Sequence, residues 1–210
     1  MKLKVITIFF ATVLFSSNTI AQRGHEDEGE KKFFKKENLF TGGSVGAGFG
    51  QGTFSLGVGP YFGYSVNKYI DVAAALNYNY VSQRDPNSIA KYRQSIIGPS
   101  AFVRVFPISQ LFAQAQYEYN FIQLKAIYGV SGYPDQVEKY KVPSMLIGGG
   151  YASGREGTGS VFYFFSVLFD VADNINSPYR DNYGRKNPII RTGINIPLFQ
   201  GRDKDRKSVV

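Results

Sequence analysis

The sequence predicts an all-β fold, an eight-stranded antiparallel up-and-down transmembrane β-barrel with short periplasmic turns and longer extracellular loops. Three observations support this prediction. Apolar residues recur at every second position through much of residues 39–199, which is the period of a strand with one apolar face. The alternating segments are 11 to 14 residues long, closer to the ~9–11 tilted residues that cross a bilayer than to the mean strand of about five to six. Short and long connections alternate between them, as in outer-membrane barrels.

The eight predicted strands differ in how clearly they alternate. They cover residues 40–50, 53–66, 69–81, 95–106, 111–122, 142–152, 160–172 and 188–199. The fifth is the clearest, because Leu111 and Phe121 belong to an apolar face while Gln114 and Glu118 belong to a polar one. The first and sixth are rich in glycine, and the seventh is less regular because Phe162 shares its polar face.

The connections between the strands indicate which end of the barrel faces outward. Residues 67–68, 107–110 and 153–159 form short connections, whereas 82–94, 123–141 and 172–187 form long ones. The first connection, at 50–52, is short where a long one is due. An even number of strands puts both chain ends on one side, and export through the inner membrane makes that side periplasmic. The long loops then face outward.

The amino-terminal segment predicts export and divides the chain into four parts. Residues 1–21 have a basic start and an apolar run at 5–15 that is too short to span a bilayer comfortably, so they predict a signal peptide cleaved after Ala21. Residues 22–38 form a flexible charged periplasmic lead, 39–199 the barrel and 200–210 a polar carboxy-terminal tail.

Composition excludes several classes of function. The chain has no Cys and one His, which removes disulfide scaffolds, thiolate zinc sites and His-rich metal sites. His25 lies in the charged lead, so no nucleophile–base pair is available and we expect neither an enzyme nor a cofactor. The net charge of +8 is spread over loops and ends, which makes nucleic acid an unexpected partner.

Charged residues inside the predicted strands all share the polar face. They are Asp71, Arg104, Glu118, Asp170 and Arg191. Because an eight-stranded barrel has room for little besides side chains and buried charges require partners, we expect a lumen ion-pair network. Folding the hairpins on their turns puts Asp71 near Arg104 and Asp170 near Arg191. The alternative is a pathway for ions or protons through a gated channel.

Aromatic residues suggest two further features. Five of them break the polar pattern of the lumen and predict an aromatic plug at the periplasmic end, or a pocket for one small apolar ligand: Phe102, Phe106, Phe162, Phe164 and Phe199. Basic and aromatic residues of the outer loops either contact the phosphates of an anionic glycolipid leaflet or only keep the loops soluble. They are Arg84, Lys91, Tyr92, Arg93, Tyr140, Lys141, Tyr179, Arg180, Arg185 and Lys186.

Residues 39–199 resemble the family of small eight-stranded outer-membrane barrels, similar in plan to the membrane domain of OmpA and to OmpX. The resemblance is carried by GPSAFVRVFP, LFAQAQYEYNF, GGGYASGR and PIIRTGINIPLFQGR. It implies a protein of the Gram-negative outer membrane. It also implies that Phe199 is the aromatic read by the barrel-assembly machinery, although eleven further residues follow it here.

These observations favour a monomeric outer-membrane barrel with a filled lumen and a role in structure or surface interaction, whose partners are outer-membrane lipid, lipopolysaccharide and the assembly machinery. A narrow or gated channel, or a carrier of a small apolar ligand, is the alternative. A soluble barrel of lipocalin type is disfavoured, because it would bury the polar face and because the chain has no Trp.

Overall fold

The computed structural model describes residues 34–50, 53–84, 91–128, 134–172, 174–180 and 186–200. The chain divides into two units, Met1–Phe34 and Lys35–Val210, and the description below concerns the second. The predicted signal peptide, the charged lead up to residue 33 and the tail from residue 201 lie outside the described residues.

Eight strands form one closed antiparallel barrel, in which each strand pairs with the next and the last pairs with the first. They are β1 (Leu39–Gly50), β2 (Thr53–Asn67), β3 (Ile70–Arg84), β4 (Lys91–Ile108), β5 (Leu111–Ile127), β6 (Gln136–Ser153), β7 (Phe162–Asp170) and β8 (Ile189–Pro197). A single 3-10 turn, Lys36–Asn38, precedes β1. The predicted fold class is confirmed.

The walls of the barrel have unequal heights. β4, β5 and β6 contain 18, 17 and 18 residues, whereas β7 and β8 contain nine each. The β3–β4 ladder continues to the pair Arg84–Lys91, and the β5–β6 ladder continues to Ala126–Gln136. Much of the segments 82–94 and 123–141 is therefore strand, where the sequence predicts loop.

The two faces of the wall have the predicted polarity. Outward side chains are apolar and exposed, as shown by Leu76 at 52% and Tyr117 at 54%. Inward side chains are buried and include apolar and polar ones in about equal number, and Glu118 and Asp170 are both fully buried. Tyr61, which sits between two outward residues of β2, belongs to the inner face and is buried. Among the described residues no helix has the length and apolarity needed to cross a membrane.

Candidate functional site: the barrel lumen, its two ends and its rim

Glu118 of β5 is the centre of a hydrogen-bonded cluster in the lumen. An ion pair joins its Oε2 to Nη2 of Arg191 on β8, at 3.5 Å. Asn77 of β3 donates to the same oxygen at 3.1 Å, and Gln116 donates to it at 3.2 Å. Arg191 also donates to Oε1 of Gln116 at 3.1 Å. Side chains from three strands thus satisfy a fully buried carboxylate.

Arg104 of β4 lies among rings rather than beside a carboxylate. Its Nε donates to Oε1 of Gln114 at 2.8 Å. Its guanidinium carbon lies 4.2 Å from the ring centre of Phe164 and 4.6 Å from that of Phe102. The rings of Tyr61 and Phe112 also lie close to this guanidinium group. Ring faces attract a cation, so this arrangement stabilises a buried charge while filling the lumen.

The end of the barrel that carries the short turns is closed by Arg155, from the β6–β7 connection. Its Nη2 lies 3.4 Å from Oδ1 of Asp71, and both side chains are almost completely buried. Its Nη1 donates to the carbonyl oxygen of Lys68 at 2.9 Å, and its guanidinium carbon lies 3.6 Å from the ring centre of Phe106. Burial lowers the pKa of the Arg155 guanidinium, and the Asp71 carboxylate opposes that shift.

The ion pair of Asp71 differs from the sequence expectation. Asp71 and Arg104 are direct neighbours across the β3–β4 ladder, but the ion pair of Asp71 is with Arg155. Arg155 was missed because a turn has no period that assigns its residues to a face. The available signal was a basic residue in a glycine-rich turn, close to the end where Asp71 lies.

An aromatic cluster lies just inside this end. Phe102, Phe106, Phe162 and Phe164, all predicted members, are buried together. The cluster also contains Phe40, Tyr61 and Phe112, whose inward direction follows from strict alternation along their strands. The assignment of Phe199 to this cluster is wrong: it follows β8, has a φ of 63° and is 63% exposed. β8 ends at Pro197, so Phe199 lies beyond the wall.

Asp170, the last residue of β7, holds the start of the outer loop. Its carboxylate accepts hydrogen bonds from the backbone amides of Met145 at 3.1 Å and Ala172 at 3.0 Å, and from the hydroxyl of Ser177. The sequence predicts that Asp170 and Arg191 lie near each other, but the two side chains do not form an ion pair. Backbone and hydroxyl donors satisfy Asp170, while Arg191 pairs with Glu118.

Tyr179 enters the lumen from the outer loop between β7 and β8. Its hydroxyl donates to Oε1 of Glu118 at 2.8 Å, and its ring packs against Leu146 and Leu168. Burial raises the pKa of Tyr179, and the nearby Glu118 carboxylate raises it further, so the phenol stays a donor. The prediction of Tyr179 as an outward loop contact is wrong, because this part of the loop folds into the barrel.

The other residues predicted for the outer loops lie on several surfaces. Arg84, Lys91, Arg93 and Lys141 share the outward face of the tall strands. Tyr92 and Tyr140 lie on the lumen face of theirs, where Gln94 donates to the Tyr140 hydroxyl at 3.1 Å. An isolated antiparallel β-bridge joins the backbones of Arg180 and Lys186. Arg185 lies outside the described residues.

Little space remains inside the lumen. A cavity of about 10 Å³ lies between Tyr61, Arg104, Ser166 and Arg191, which is room for about one water molecule. The described residues contain no group of three acidic or histidine side chains placed to hold a metal ion. In the described residues, Arg155 of a turn lies in one end of the lumen and Tyr179 of a loop lies in the other.

No family model matches the sequence, and no curated protein matches it. Several solved structures are similar to it, and two of them are described here. Neisserial surface protein A is 13% identical over 76% of this chain and 96% of that chain, with a TM-score of 0.45. The amino-terminal β-barrel domain of Pseudomonas aeruginosa OprF is 14% identical over 76% of this chain and 95% of that chain, with a TM-score of 0.38. At these values the similarity carries no argument about function. Strand number, strand order and closure give this chain the architecture of the small eight-stranded outer-membrane barrels.

Proposed function

We propose that this chain is an integral outer-membrane β-barrel protein with a role in envelope structure or surface interaction, a lumen filled by side chains, and outer loops and rim that contact glycolipid head groups or external partners. One observation carries the proposal. The barrel exposes apolar side chains on its outer wall and encloses charged ones such as Asp71, Arg104 and Glu118, whereas a soluble barrel exposes polar side chains.

The outer surface supports a bilayer as the surrounding solvent. Exposed apolar residues occur on every wall strand, for example Val58, Ile147 and Phe165. Soluble monomers rarely expose contiguous apolar patches of more than a few hundred Å². The charges of the lower wall, such as Asp71, Arg104 and Glu118, point inward instead, and a charge on the lipid face would cost ~2–4 kcal/mol at the membrane midplane.

The closed lumen favours a structural role over transport. Arg155 and the aromatic cluster fill one end, and Tyr179 fills the other. Between them, Glu118 and Arg104 are each held by neighbouring side chains. The cavity between Tyr61, Arg104, Ser166 and Arg191 has room for about one water molecule, which favours a filled lumen over a ligand pocket at this place.

The remaining partners belong to the same proposal. The protein acts as a monomer, contacts lipopolysaccharide from the outer rim, and is assembled by the barrel-assembly machinery. Phe199 follows the last strand and serves as the assembly signal in this proposal.

The proposed location and orientation can be tested by labelling single cysteines, because the chain has none of its own. Ile175→Cys lies in the outer loop at a position that is 83% exposed, and Lys68→Cys lies in an exposed short turn. We expect a membrane-impermeant thiol reagent to label Ile175→Cys on intact cells and Lys68→Cys only after the outer membrane is permeabilised. Equal labelling of both on intact cells, or labelling of Lys68→Cys alone, contradicts the proposal.

A gated narrow channel is the second candidate, because a loop rather than the wall closes the outer end. Asp170 holds this loop through Ser177, and Glu118 holds it through Tyr179. In planar bilayers we expect wild type and the Ser177→Ala/Tyr179→Ala variant to be silent alike, because Arg104 and the aromatic cluster still fill the lumen. Conductance of the double variant favours the channel.

A further inference from the structure

The outward face of the tall strands changes abruptly from apolar to cationic. On β5, Tyr119 and Phe121 end the exposed apolar run, and Lys125 is the next charged residue on that face. β6 runs in the opposite direction. Its outward face carries Ile147 and Pro143 nearer the short turns, and Lys141 and Lys139 farther from them. The change occurs where lipid tails would give way to head groups.

The cations on neighbouring strands lie at one level. Lys125 lies 14 residues beyond the start of β5 at Leu111, and Lys139 lies 14 residues before the end of β6 at Ser153. Arg93 lies 15 residues before the end of β4 at Ile108. At ~3.3 Å per residue and a tilt of about 35–45°, 14 residues rise by about 33–38 Å, past an apolar band of about 25 Å. We refer to Arg93, Lys125, Lys139 and Lys141 together as the wall patch.

The pairing register brings like charges together. Arg93 lies directly opposite Lys125, and Arg84 lies directly opposite Lys91. Such pairs destabilise a sheet. Asp135, whose Oδ2 is 2.8 Å from Nζ of Lys125, offsets part of one of them. The remaining excess of positive charge on one face is the arrangement expected where an anion with several charges binds.

The lower edge of the wall patch suits the boundary between lipid tails and phosphates. Nζ of Lys141 lies 5.4 Å from the ring centre of Phe121. Tyr119 packs edge-on against the same ring at 5.2 Å. Aromatic rings prefer the membrane interface, so the ammonium group lies immediately above a position where rings mark that interface.

At the level of the wall patch the described wall is formed by the tall strands. β7 ends at Asp170, which pairs with Leu146 of β6, below Lys141 and Lys139. β8 begins at Ile189, opposite Leu168 of β7. The patch therefore lies on the part of the wall that rises above the apolar positions.

We propose that the wall patch binds the phosphate groups of the outer-leaflet glycolipid, so that a lipid molecule is held against the outside of β4–β6. This inference rests on the proposed function and makes it specific. The contact lies on the barrel wall, not on the loop tips, and its ligand is a phosphorylated saccharolipid.

The test compares two variants that lose the same charge. Arg93→Gln/Lys139→Gln/Lys141→Gln removes three cations of the wall patch, and Lys35→Gln/Lys36→Gln/Lys68→Gln removes three exposed cations near the opposite end. Each protein is folded in a nondenaturing detergent and titrated with diphosphorylated lipid A, fully dephosphorylated lipid A or phosphatidylglycerol. Native mass spectrometry then counts the bound lipid.

We expect the Kd for diphosphorylated lipid A to rise about fivefold for each patch cation removed, and on the order of a hundredfold for all three, with no change in the control variant. Wild type should bind dephosphorylated lipid A and phosphatidylglycerol much more weakly. An equal Kd for the two variants overturns the inference, and so does equal binding of phosphatidylglycerol and diphosphorylated lipid A by wild type. Each sample is also run unboiled on an SDS gel. A wild-type protein with no folded band refutes the proposed function itself, whereas folded protein with equal Kd values refutes only the lipid site.

Discussion

At the residue scale, the chemistry of the lumen is concentrated on Glu118. Its two oxygens receive hydrogen bonds or an ion pair from Asn77, Gln116, Tyr179 and Arg191. These donors come from three strands and the outer loop. An ionised carboxylate has about four lone-pair sites, so this one is saturated. The cluster therefore ties distant parts of the chain to one charge.

Replacing that charge tests whether it stabilises the barrel. Glu118→Gln keeps the size of the side chain but leaves Arg191 without its carboxylate partner. Breaking a buried ion pair by removing one partner costs about 3–5 kcal/mol, so we expect the free energy of unfolding in lipid vesicles to fall by that order. Urea titration followed by gel mobility measures it.

The control for this prediction removes both charges. Glu118→Gln/Arg191→Gln removes both members of the ion pair, so neither is left without its partner, and we expect it to recover much of the lost stability. An unchanged unfolding midpoint for Glu118→Gln alone would show that the pair contributes nothing.

Sequence periodicity predicted some of these residues and not others. Alternation predicted that Glu118 and Arg191 lie on the inner face, because the residues directly before and after each of them are apolar or uncharged and belong to the outer face. Arg155 and Tyr179 lie in a turn and a loop, where alternation has no meaning. Their roles depend on how the chain folds back into the barrel, and that is decided by tertiary contacts.

At the element scale, the strands extend beyond the segments that alternate in hydrophobicity. In the proposed orientation these strand ends lie above the membrane, where outward positions face water. Lys91 and Arg93 therefore stand in place of apolar residues although the β3–β4 ladder continues. The alternation of apolar residues ends there, while the backbone hydrogen bonding continues. This explains why the predicted fourth strand begins at residue 95 and the observed one begins at Lys91.

The pairing of β1 with β8 closes the barrel, and substitution of one glycine on each strand tests how closely the two strands approach. A Cβ on Gly193 of β8 would collide with the carbonyl oxygen of Gly43 and the ring of Phe164. A Cβ on Gly43 of β1 would meet only the carbonyl oxygen of Gly59, at 3.9 Å. We expect Gly193→Ala to lower the free energy of unfolding by at least the ~1–3 kcal/mol typical of overpacking. The carbonyl oxygen of Gly43 belongs to a paired strand and cannot move aside easily.

Gly43→Ala, on the lipid side of the same strand pair, is the matched control, and we expect its stability to lie within about 0.5 kcal/mol of wild type. Both variants are compared by the temperature at which the folded gel band disappears. Similar temperatures for the two would mean that β1 and β8 do not approach as closely as their register indicates.

At the scale of the whole molecule, the wall exposes apolar side chains and the interior encloses charged ones, the reverse of the distribution in a soluble protein. Leu76 and Tyr117 are exposed on the wall, while Asp71 and Glu118 are buried in the lumen. The same sequence alternation would describe a soluble barrel if the faces were exchanged. The buried polar groups separate the two interpretations, because the lumen supplies partners for buried charges, as Arg155 does for Asp71.

The most direct test of this organisation is heat-modifiability of the protein in isolated outer membranes, with boiled and unboiled samples compared on SDS gels. A closed barrel resists SDS until it is heated, so we predict that the protein is recovered in the outer-membrane fraction and that its two samples migrate differently. Identical migration, with the protein soluble in the periplasm, would contradict the account and mean that the apolar face is a buried core.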